Sequence, residues 1–510
     1  MTAAAAPVRH GTPGTAGHKR IVFVIAGISA FGGLLFGYDT GIISSALLFI
    51  SEDFGLSSFM KQVVVSTILV GAIIGALLSG ALSERFGRRR IVCAVAVIFA
   101  VGALGAALAP NVPSLVAARF VLGLSVGGAS GMVPVYIAEL APVRIRGGLM
   151  VFFQLMVAVG ELVSYLTGYA FSGSGGWRIM FALATLPAII LFIGMLFLPE
   201  SPRWLMKRSD EAGARAVLQR VTSEPDDVER ELEEIRSVQS AESPSWRALR
   251  GRIARPALVV GLGIAAFSQL TGINAMVYYA PTILSSAGFN NQTAILAGVG
   301  VGVMLVISAL FGTLLVDRIG RRRLLLLLLP ASAVAMAVLA LGFRGGELTG
   351  ANRWIVVVAL LAYIGLNGGS IQVVVWLIGP EVFPLSIRGR AMSLASVTVW
   401  AFNLLISLTI LSMINAAGAT ATFLLFSLMT LLCCLFVYKL VPETRGRSLE
   451  QIERALHDGG NFRDAVHAQP TTHDAGSTSD PYPHAAASSN RSASPAAVGS
   501  RTATTTDDPR

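Results

Sequence analysis

Charge is scarce in this sequence: Asp, Glu, Lys and Arg together make up 13% of its 510 residues, against roughly 25% in soluble domains. With 54% hydrophobic residues beside them, that scarcity excludes a single water-soluble core, which could not hide so much apolar surface. Cysteine is nearly absent too. Cys93, Cys433 and Cys434 all fall inside apolar stretches, with no CxxC pair and no matching histidine spacing, so neither a disulfide framework nor a metal centre is expected. Long polar stretches are equally few, and none carries a nucleophile–base set or a Gly-rich phosphate loop. An enzyme is therefore not expected, and no cofactor is called for.

Apolar runs of about 20 residues fill the chain instead, each long enough to cross a hydrocarbon core of roughly 30 Å. They lie near residues 20–50, 59–83, 90–109, 112–137, 148–171, 177–198, 255–285, 292–316, 323–343, 352–379, 389–414 and 418–441, which predicts an all-α membrane protein of twelve transmembrane helices. The first run follows basic residues, as in a signal peptide, but it is long and lacks a small-residue cleavage site. It reads as a retained helix. A formal charge of +10 would suit nucleic acid if it lay on one soluble face; here it sits in short loops, and no nucleic-acid partner is implied. Loops 85–90, 144–146, 318–323 and 388–390 are basic, whereas 111–114, 172–176, 288–293 and 415–420 contain no Lys or Arg. Positive loops mark the cytoplasmic side, so both termini are read as cytoplasmic and the protein as a multi-pass component of the cell membrane.

Five segments follow from composition. Residues 1–17 and the Ser-, Thr-, Ala-, Pro- and His-rich stretch after about Leu456 hold few large apolar residues, so they read as a disordered N-terminal tail (1–17) and a short C-terminal segment with a disordered tail (446–510). Between them lie six-helix halves at 18–200 and 255–445. Cytoplasmic linker helices at 201–254 join them, with Val228, Leu232 and Ile235 along one side of DVERELEEIRS. The halves are related: Arg85-Phe-Gly-Arg-Arg-Arg90 recurs as Arg318-Ile-Gly-Arg-Arg-Arg323, and Pro199-Glu200-Ser201 as Pro442-Glu443-Thr444. Likewise, Glu139-Leu-Ala-Pro-Val-Arg-Ile-Arg-Gly147 recurs as Glu381-Val-Phe-Pro-Leu-Ser-Ile-Arg-Gly389. A spacing of roughly 240 residues, about six helices, puts both copies on one side of the membrane, as in parallel repeats that rock about a central site.

Gly37-Tyr38-Asp39-Thr40, Glu84-Arg85-Phe86-Gly87-Arg88-Arg89, Tyr136-Ile137-Ala138-Glu139, Pro199-Glu200-Ser201-Pro202-Arg203-Trp204 and Pro442-Glu443-Thr444-Arg445-Gly446 resemble, in that order, motifs of the sugar porters of the major facilitator superfamily. The similarity spans residues 20–455. It includes Gln269-Leu-Thr-Gly-Ile-Asn274-Ala-Met-Val-Tyr278-Tyr279, which is similar to the seventh-helix sugar-binding segment of bacterial xylose and inositol symporters and animal glucose facilitators. The resemblance implies the major facilitator fold, two pseudo-symmetric six-helix halves. It also implies transport of a monosaccharide or cyclic polyol by alternating access, with sugar and lipid bilayer as partners and no obligatory protein partner.

Three charges lie deep in the predicted helices. Asp39, roughly 16 Å from the outer end of its helix, and Arg119, roughly 12 Å from the outer end of its own, sit at similar depth and can pair. The resemblance implies that an aspartate at the Asp39 position takes up the coupling proton, because related facilitators usually carry asparagine there. That favours proton symport into the cell, with an uncoupled facilitator or a purely structural ion pair as alternatives. Glu161, roughly 21 Å into the fifth helix, stands where the resembling xylose symporters have a sugar-contacting glutamine. It can bind substrate hydroxyls, serve as a second titratable group, or simply be protonated or paired, and the sequence leaves these open.

A neutral polyol needs amides, which both donate and accept, and flat aromatic faces against its ring. Gln154, Gln269, Asn274, Tyr278, Trp376, Trp400 and Asn403 are of this kind and match sugar-site or near-site positions of the family, although each alone could equally tie two helices together. Ser268, Leu305 and Val399 replace residues that are usually amides. Gln372-Val373-Val-Val-Trp376 replaces a usual Gly-Pro, which removes a break from the tenth helix and adds an amide at Gln372, a further candidate contact to the substrate or else a bond to a neighbouring helix.

At the cytoplasmic helix ends, Glu84, Arg85, Glu139, Arg146, Glu200, Arg203, Asp317, Arg318, Glu381, Arg388, Glu443 and Arg445 mix acids with bases. Ion pairs formed only when that side is closed would latch the halves together; topology alone explains the arginines but does not call for the acids. A drug or metabolite exporter of the superfamily would share the basic loop but not the YIAEL, PESPRW and QLTGIN segments. A non-transporting sugar sensor would need a long signalling extension.

Overall fold

The computed structural model describes residues 14–141, 143–174, 176–222, 225–240, 249–286, 288–344, 351–384, 387–447, 449–457 and 462–468. The N-terminal half is built from α1 (Gly14–Phe54), α2 (Ser58–Phe86), α3 (Arg88–Ala107), α4 (Val112–Leu140), α5 (Val143–Ala170), α6 (Trp177–Leu183) and α7 (Thr185–Phe197). Three short helices follow: α8 (Pro202–Lys207), α9 (Glu211–Val221) and α10 (Pro225–Ser240). The C-terminal half contains α11 (Ala254–Leu270), α12 (Ile273–Ser286), α13 (Asn291–Ile319), α14 (Arg321–Gly342), α15 (Ala351–Gly368), α16 (Ile371–Val382) and α17 (Arg388–Leu440), and α18 (Leu449–His457) and α19 (Phe462–Ala468) come last.

Among the described residues, ten helical stretches of 20 to 53 residues are long and apolar enough to cross a membrane. Phe197, Phe311, Leu327 and Val358 project from the bundle, each more than half exposed, an apolar surface that hydrocarbon rather than water must cover. The chain is a multi-pass membrane protein. At 53 residues, α17 would be about 80 Å long, more than twice the hydrocarbon thickness. Gly418, at φ 82° and ψ 159°, interrupts it in a region of backbone space that is essentially reserved for glycine.

Polar caps hold the helix starts. Ser57 accepts from Met60 N, Asn290 from Thr293 N, and Asn111 and Ser114 form a reciprocal capping box at the start of α4, satisfying amides that have no partner within the helix. Glycine lets helices touch through their backbones. A Cβ at Gly123 would stand 2.1 Å from Ile68 O, and one at Gly75 2.1 Å from Leu124 O, so α2 and α4 cross in direct contact.

Several sequence expectations need correction: the run at 255–285, expected as one helix, divides into α11 and α12. The tenth hydrophobic segment, expected to be continuous, breaks between α15 and α16 at Gly369 and Ser370. Consecutive glycines favour helix poorly, and α13 presses on the gap, where a Cβ at Gly312 would stand 2.6 Å from Gly369 O. Order was also expected to end near Leu456, yet α19 follows. Its Phe462 and Val466, four residues apart, are buried with Ile452, Ala455 and Leu456 in a core shared with α11, α16 and α17. Residues 1–13 and 469–510 of the expected tails lie outside the described residues.

In the linker, Arg215 and Arg236 both reach Glu211, at 3.2 and 2.5 Å. Their hydrogen bonds, that of Arg236 foremost, hold the Glu211 carboxyl below its ordinary range.

Candidate functional site

The deep charges are placed by close helix contacts. A Cβ at Gly37 would stand 1.8 Å from Val157 O, and one at Gly160 2.3 Å from Leu34 O, so α1 lies directly on α5. From α4, Arg119 meets Asp39, its Nη1 donating to both carboxylate oxygens at 3.0 Å. The two side chains are 1% and 2% exposed. Arg119 Nε also donates to Val64 O at 3.3 Å, and the Phe181 ring lies beside the guanidinium, 5.9 Å from its centroid to Cζ. A pair so enclosed keeps its charges only while both partners are present.

Glu161 stands on the inward face of α5, the face that carries Gln154, Val157, Ala158, Ser164 and Tyr165 at helical spacing, while Val163 and Leu166 point outward. It is 9% exposed. No hydrogen bond or ion pair reaches its carboxylate from any described residue. Gln154, two turns away on the same face, is half-buried. Tyr278 of α12 lies within electrostatic reach of Glu161, Arg119 and Asp39 together.

The expected amides gather on the C-terminal half, at the break between α11 and α12, where Gly272 takes φ 89°. Gln269 Nε2 donates to Ser268 Oγ at 2.9 Å, and Asn274 Nδ2 donates to Gln269 Oε1 at 2.5 Å. Gln372 Nε2 donates to Ser268 O at 2.7 Å, and Tyr363 Oη to Thr271 O at 2.7 Å. These two bonds fasten one broken helix to the other, so Gln372 serves a neighbouring helix. Asn403 Nδ2 donates to Tyr278 Oη at 3.2 Å, which leaves Asn403 Oδ1 buried without a partner. Trp400 packs on Phe36 of the other half, ring centroids 5.5 Å apart. Trp376, 38% exposed, lines a small cleft with Met392, Ser396 and Val399. Leu305 is half-buried and packs against the core.

Between the halves, Tyr165 Oη donates to Val277 O at 2.7 Å. Pro281 stands four residues after Val277 inside α12 and has no N–H to offer that carbonyl, so the tyrosine supplies the missing donor. Gln62 and Ser412 (2.9 Å) and Glu52 and Asn291 (3.0 Å) also bond across the halves.

Among the described residues, the ion pairs found at the helix ends expected to be cytoplasmic join residues of the same half of the sequence. Arg88 bridges Glu139 at 3.0 Å, and Arg321 bridges Glu381 at 2.8 Å and Asp317 at 3.2 Å. Glu200 accepts from the backbone N–H groups of Arg88 (2.9 Å) and Arg89 (3.1 Å), and Glu443 from those of Arg321 (2.9 Å) and Arg323 (3.3 Å). Each acid thus sits at a helix N-terminus, where the macrodipole favours negative charge. Gly87 (φ 100°) and Gly320 (φ 94°) give it room. Thr444 Oγ1 donates to Glu381 at 2.5 Å. Glu84 holds Lys207 of α8 at 2.9 Å, and Arg85 lends its carbonyl to Arg208. Arg388 donates to Phe383 O at 3.2 Å, and Arg445 N to Glu443 at 3.2 Å. Arg203 is half-buried and Arg318 exposed, while the side chain of Arg146 lies outside the described residues. Sequence reasoning missed Arg88 and Arg321 as the bridging bases, although their place just after the glycine of each repeated motif was a usable signal. It also missed Tyr165, which only the proline four residues beyond Val277 could have indicated.

Comparison with known proteins shows the family. Residues 25–456 match the family described as sugar (and other) transporter. A D-xylose transporter of Levilactobacillus brevis is 42% identical over 431 residues, 84% of this chain and 94% of that one. The xylose transporter XylE from E. coli, solved in a partially occluded inward-open conformation, superposes with a TM-score of 0.72 at 30% identity, covering 84% of this chain and 100% of that one. XylE described as a proton:xylose symporter, bound to 6-bromo-6-deoxy-D-glucose, gives the same score and identity over 86% and 99%. The chain therefore belongs to the sugar transporter family of the major facilitator superfamily, a family of carriers and not of enzymes.

Proposed function

We propose that the protein carries a monosaccharide or cyclic polyol into the cell together with a proton, exposing one central site alternately to each side of the membrane. The observation that carries this reading is the enclosed Asp39–Arg119 pair, which shares Tyr278 as a neighbour with the amide-bearing break of α11 and α12. When the pair separates, a carboxylate left in hydrocarbon is neutralised by a proton. Gln154, Gln269, Asn274, Asn403 and Glu161 offer the hydrogen bonds that sugar hydroxyls need, and Trp376 and Trp400 the flat faces. The xylose transporters among its relatives support a sugar or polyol as the substrate.

Twelve crossings fit the family fold when α5 joins the ten apolar stretches and α17 is divided at Gly418. The basic loops support cytoplasmic termini and a carrier of the cell membrane. The bonds between the halves at Glu52, Gln62 and Tyr165 lie toward the predicted outer helix ends, whereas the cytoplasmic ion pairs stay within each half. That is the arrangement of a carrier open inward, and the cross-half latch belongs to the opposite state. Uptake of labelled pentoses, hexoses and inositols by transport-deficient cells, with and without a protonophore, tests the reading. Uptake of none of them would refute it, and uptake indifferent to the protonophore would remove the proton.

A further inference from the structure

We propose that Glu161 carries a resident proton, one that stays on the protein through the transport cycle, and that as a neutral carboxylic acid it donates its O–H to the sugar. The proposal rests on the sugar-transport reading and deepens it. Glu161 is nine-tenths buried on the inward face of α5, and no hydrogen bond or ion pair reaches its carboxyl from a described residue. Asp39 of α1 is an acid already held by Arg119 of α4, whose guanidinium is committed through two bonds at 3.0 Å and another to Val64 O. Gly37 and Gly41 of α1 lie against the Glu161 backbone and bring no side chain. On its own helix, Tyr165 spends its hydroxyl on Val277 O, and Ser164 spends its own on the Glu161 backbone carbonyl at 2.6 Å. Tyr278 of α12 lies within electrostatic reach and is an uncharged phenol at neutral pH. The Asp39–Arg119 pair is neutral as a unit, so an ionised Glu161 would be a single uncompensated charge in the membrane interior. A proton removes that charge.

The two buried acids therefore differ in kind. Asp39 can exchange Arg119 for a proton and back again as the pair parts and closes, which is what a coupling site must do. Glu161 has no cation to exchange, so no movement of the halves displaces its proton. What the proton adds is a donor. An ionised carboxyl only accepts, whereas the neutral acid also has an O–H to give. Its neighbour Tyr278 receives the Asn403 amide, and Asn403 Oδ1 is left as a buried acceptor without a partner. The surroundings of Tyr278 thus hold one free donor and one free acceptor, and a sugar hydroxyl accepts and donates at once. Leaving either unmet costs binding, so a polyol completes the set.

Infrared difference spectra of the purified protein in lipid read the proton directly, at about pH 7, with and without whichever of D-xylose, D-glucose or myo-inositol is transported. A protonated carboxyl absorbs at higher frequency than a carboxylate, and the sugar should shift such a band in the unaltered protein. Glu161→Gln puts an amide donor and acceptor in the same place. It should lose the band, keep sugar affinity within about threefold and still concentrate sugar. Glu161→Leu offers neither group and should weaken binding of the labelled sugar by about tenfold or more. The absence of a sugar-sensitive band from a protonated carboxyl, or its persistence in Glu161→Gln, overturns the proposal. So does a Glu161→Gln protein that exchanges sugar without concentrating it, because the Glu161 proton would then be one that travels. Should Glu161→Leu fail to reach the membrane, the band and the Glu161→Gln protein still decide. Failure of the unaltered protein to take up any sugar strikes the transport reading itself, whereas uptake without the band strikes only this proposal.

Discussion

Replacing Asp39 with asparagine should uncouple transport from the proton without removing transport. In the structure Asp39 and Arg119 cancel each other, so protonating the aspartate adds one positive charge to the moving unit. One charge crossing a potential of 100 mV is worth about 2.3 kcal/mol, enough to concentrate sugar roughly 50-fold at equal pH on both sides. Asparagine has nearly the same volume but binds no proton, so the expected accumulation falls to unity while exchange of labelled for unlabelled sugar continues. The substitution also leaves Arg119 as an enclosed cation with only Val64 O and the Phe181 ring beside it, at a cost to stability of about 3–5 kcal/mol. Adding Arg119→Gln should recover much of that stability without restoring accumulation. Proteoliposomes with an imposed potassium diffusion potential measure the first quantity, and thermal unfolding in detergent the second. If Asp39→Asn still concentrated sugar tenfold or more, the proton site would lie elsewhere.

Four further outcomes follow from other contacts. Tyr165→Phe leaves Val277 O without a donor, at about 1–3 kcal/mol, so a cysteine placed at Ser412 should be alkylated faster from outside; an unchanged rate would count against Tyr165 as a tie of the closed outer side. Gly87→Ala meets both a glycine-only backbone and Glu200 Oε2 at 2.4 Å, and should lower the level of folded protein in the membrane as judged by fluorescence-detected size exclusion. Glu139→Gln combined with Glu381→Gln should leave sugar binding intact and abolish net uptake, and normal uptake would dismiss the latch. Ending the chain after residue 469 should leave uptake unchanged, whereas ending it after residue 457 strips Phe462 and Val466 from the core at about 1.5–3 kcal/mol each, and equal melting temperatures for the two would contradict that packing.

Hydrophobic runs about 20 residues long made most helices legible, because lipid imposes one length and one composition on every crossing. The breaks were harder to read. Thr271-Gly272 and Gly369-Ser370 interrupt runs whose hydropathy is continuous, and what holds them open, Tyr363 and Gln372, comes from a different helix. The Asp39–Arg119 contact was legible from depth alone. By contrast, Arg88 and Arg321 hid in plain arginine runs, where only their place just after the glycine of each repeated motif sets them apart from arginines that bridge no acid. Order at α19 escaped notice because two apolar residues four apart are a weak signal until a core beneath them is known.

The carboxylates of Glu200 and Glu443 carry one more implication. Each follows the last helix of its half and grips the start of the third, so the end of a half is sewn back to its own beginning. A half closed in this way does not depend on the connecting segment for its shape. The stretch between α10 and α11 is accordingly the place to splice in a fluorescent reporter, whose signal would follow the two bodies as they rock while each keeps its own fold.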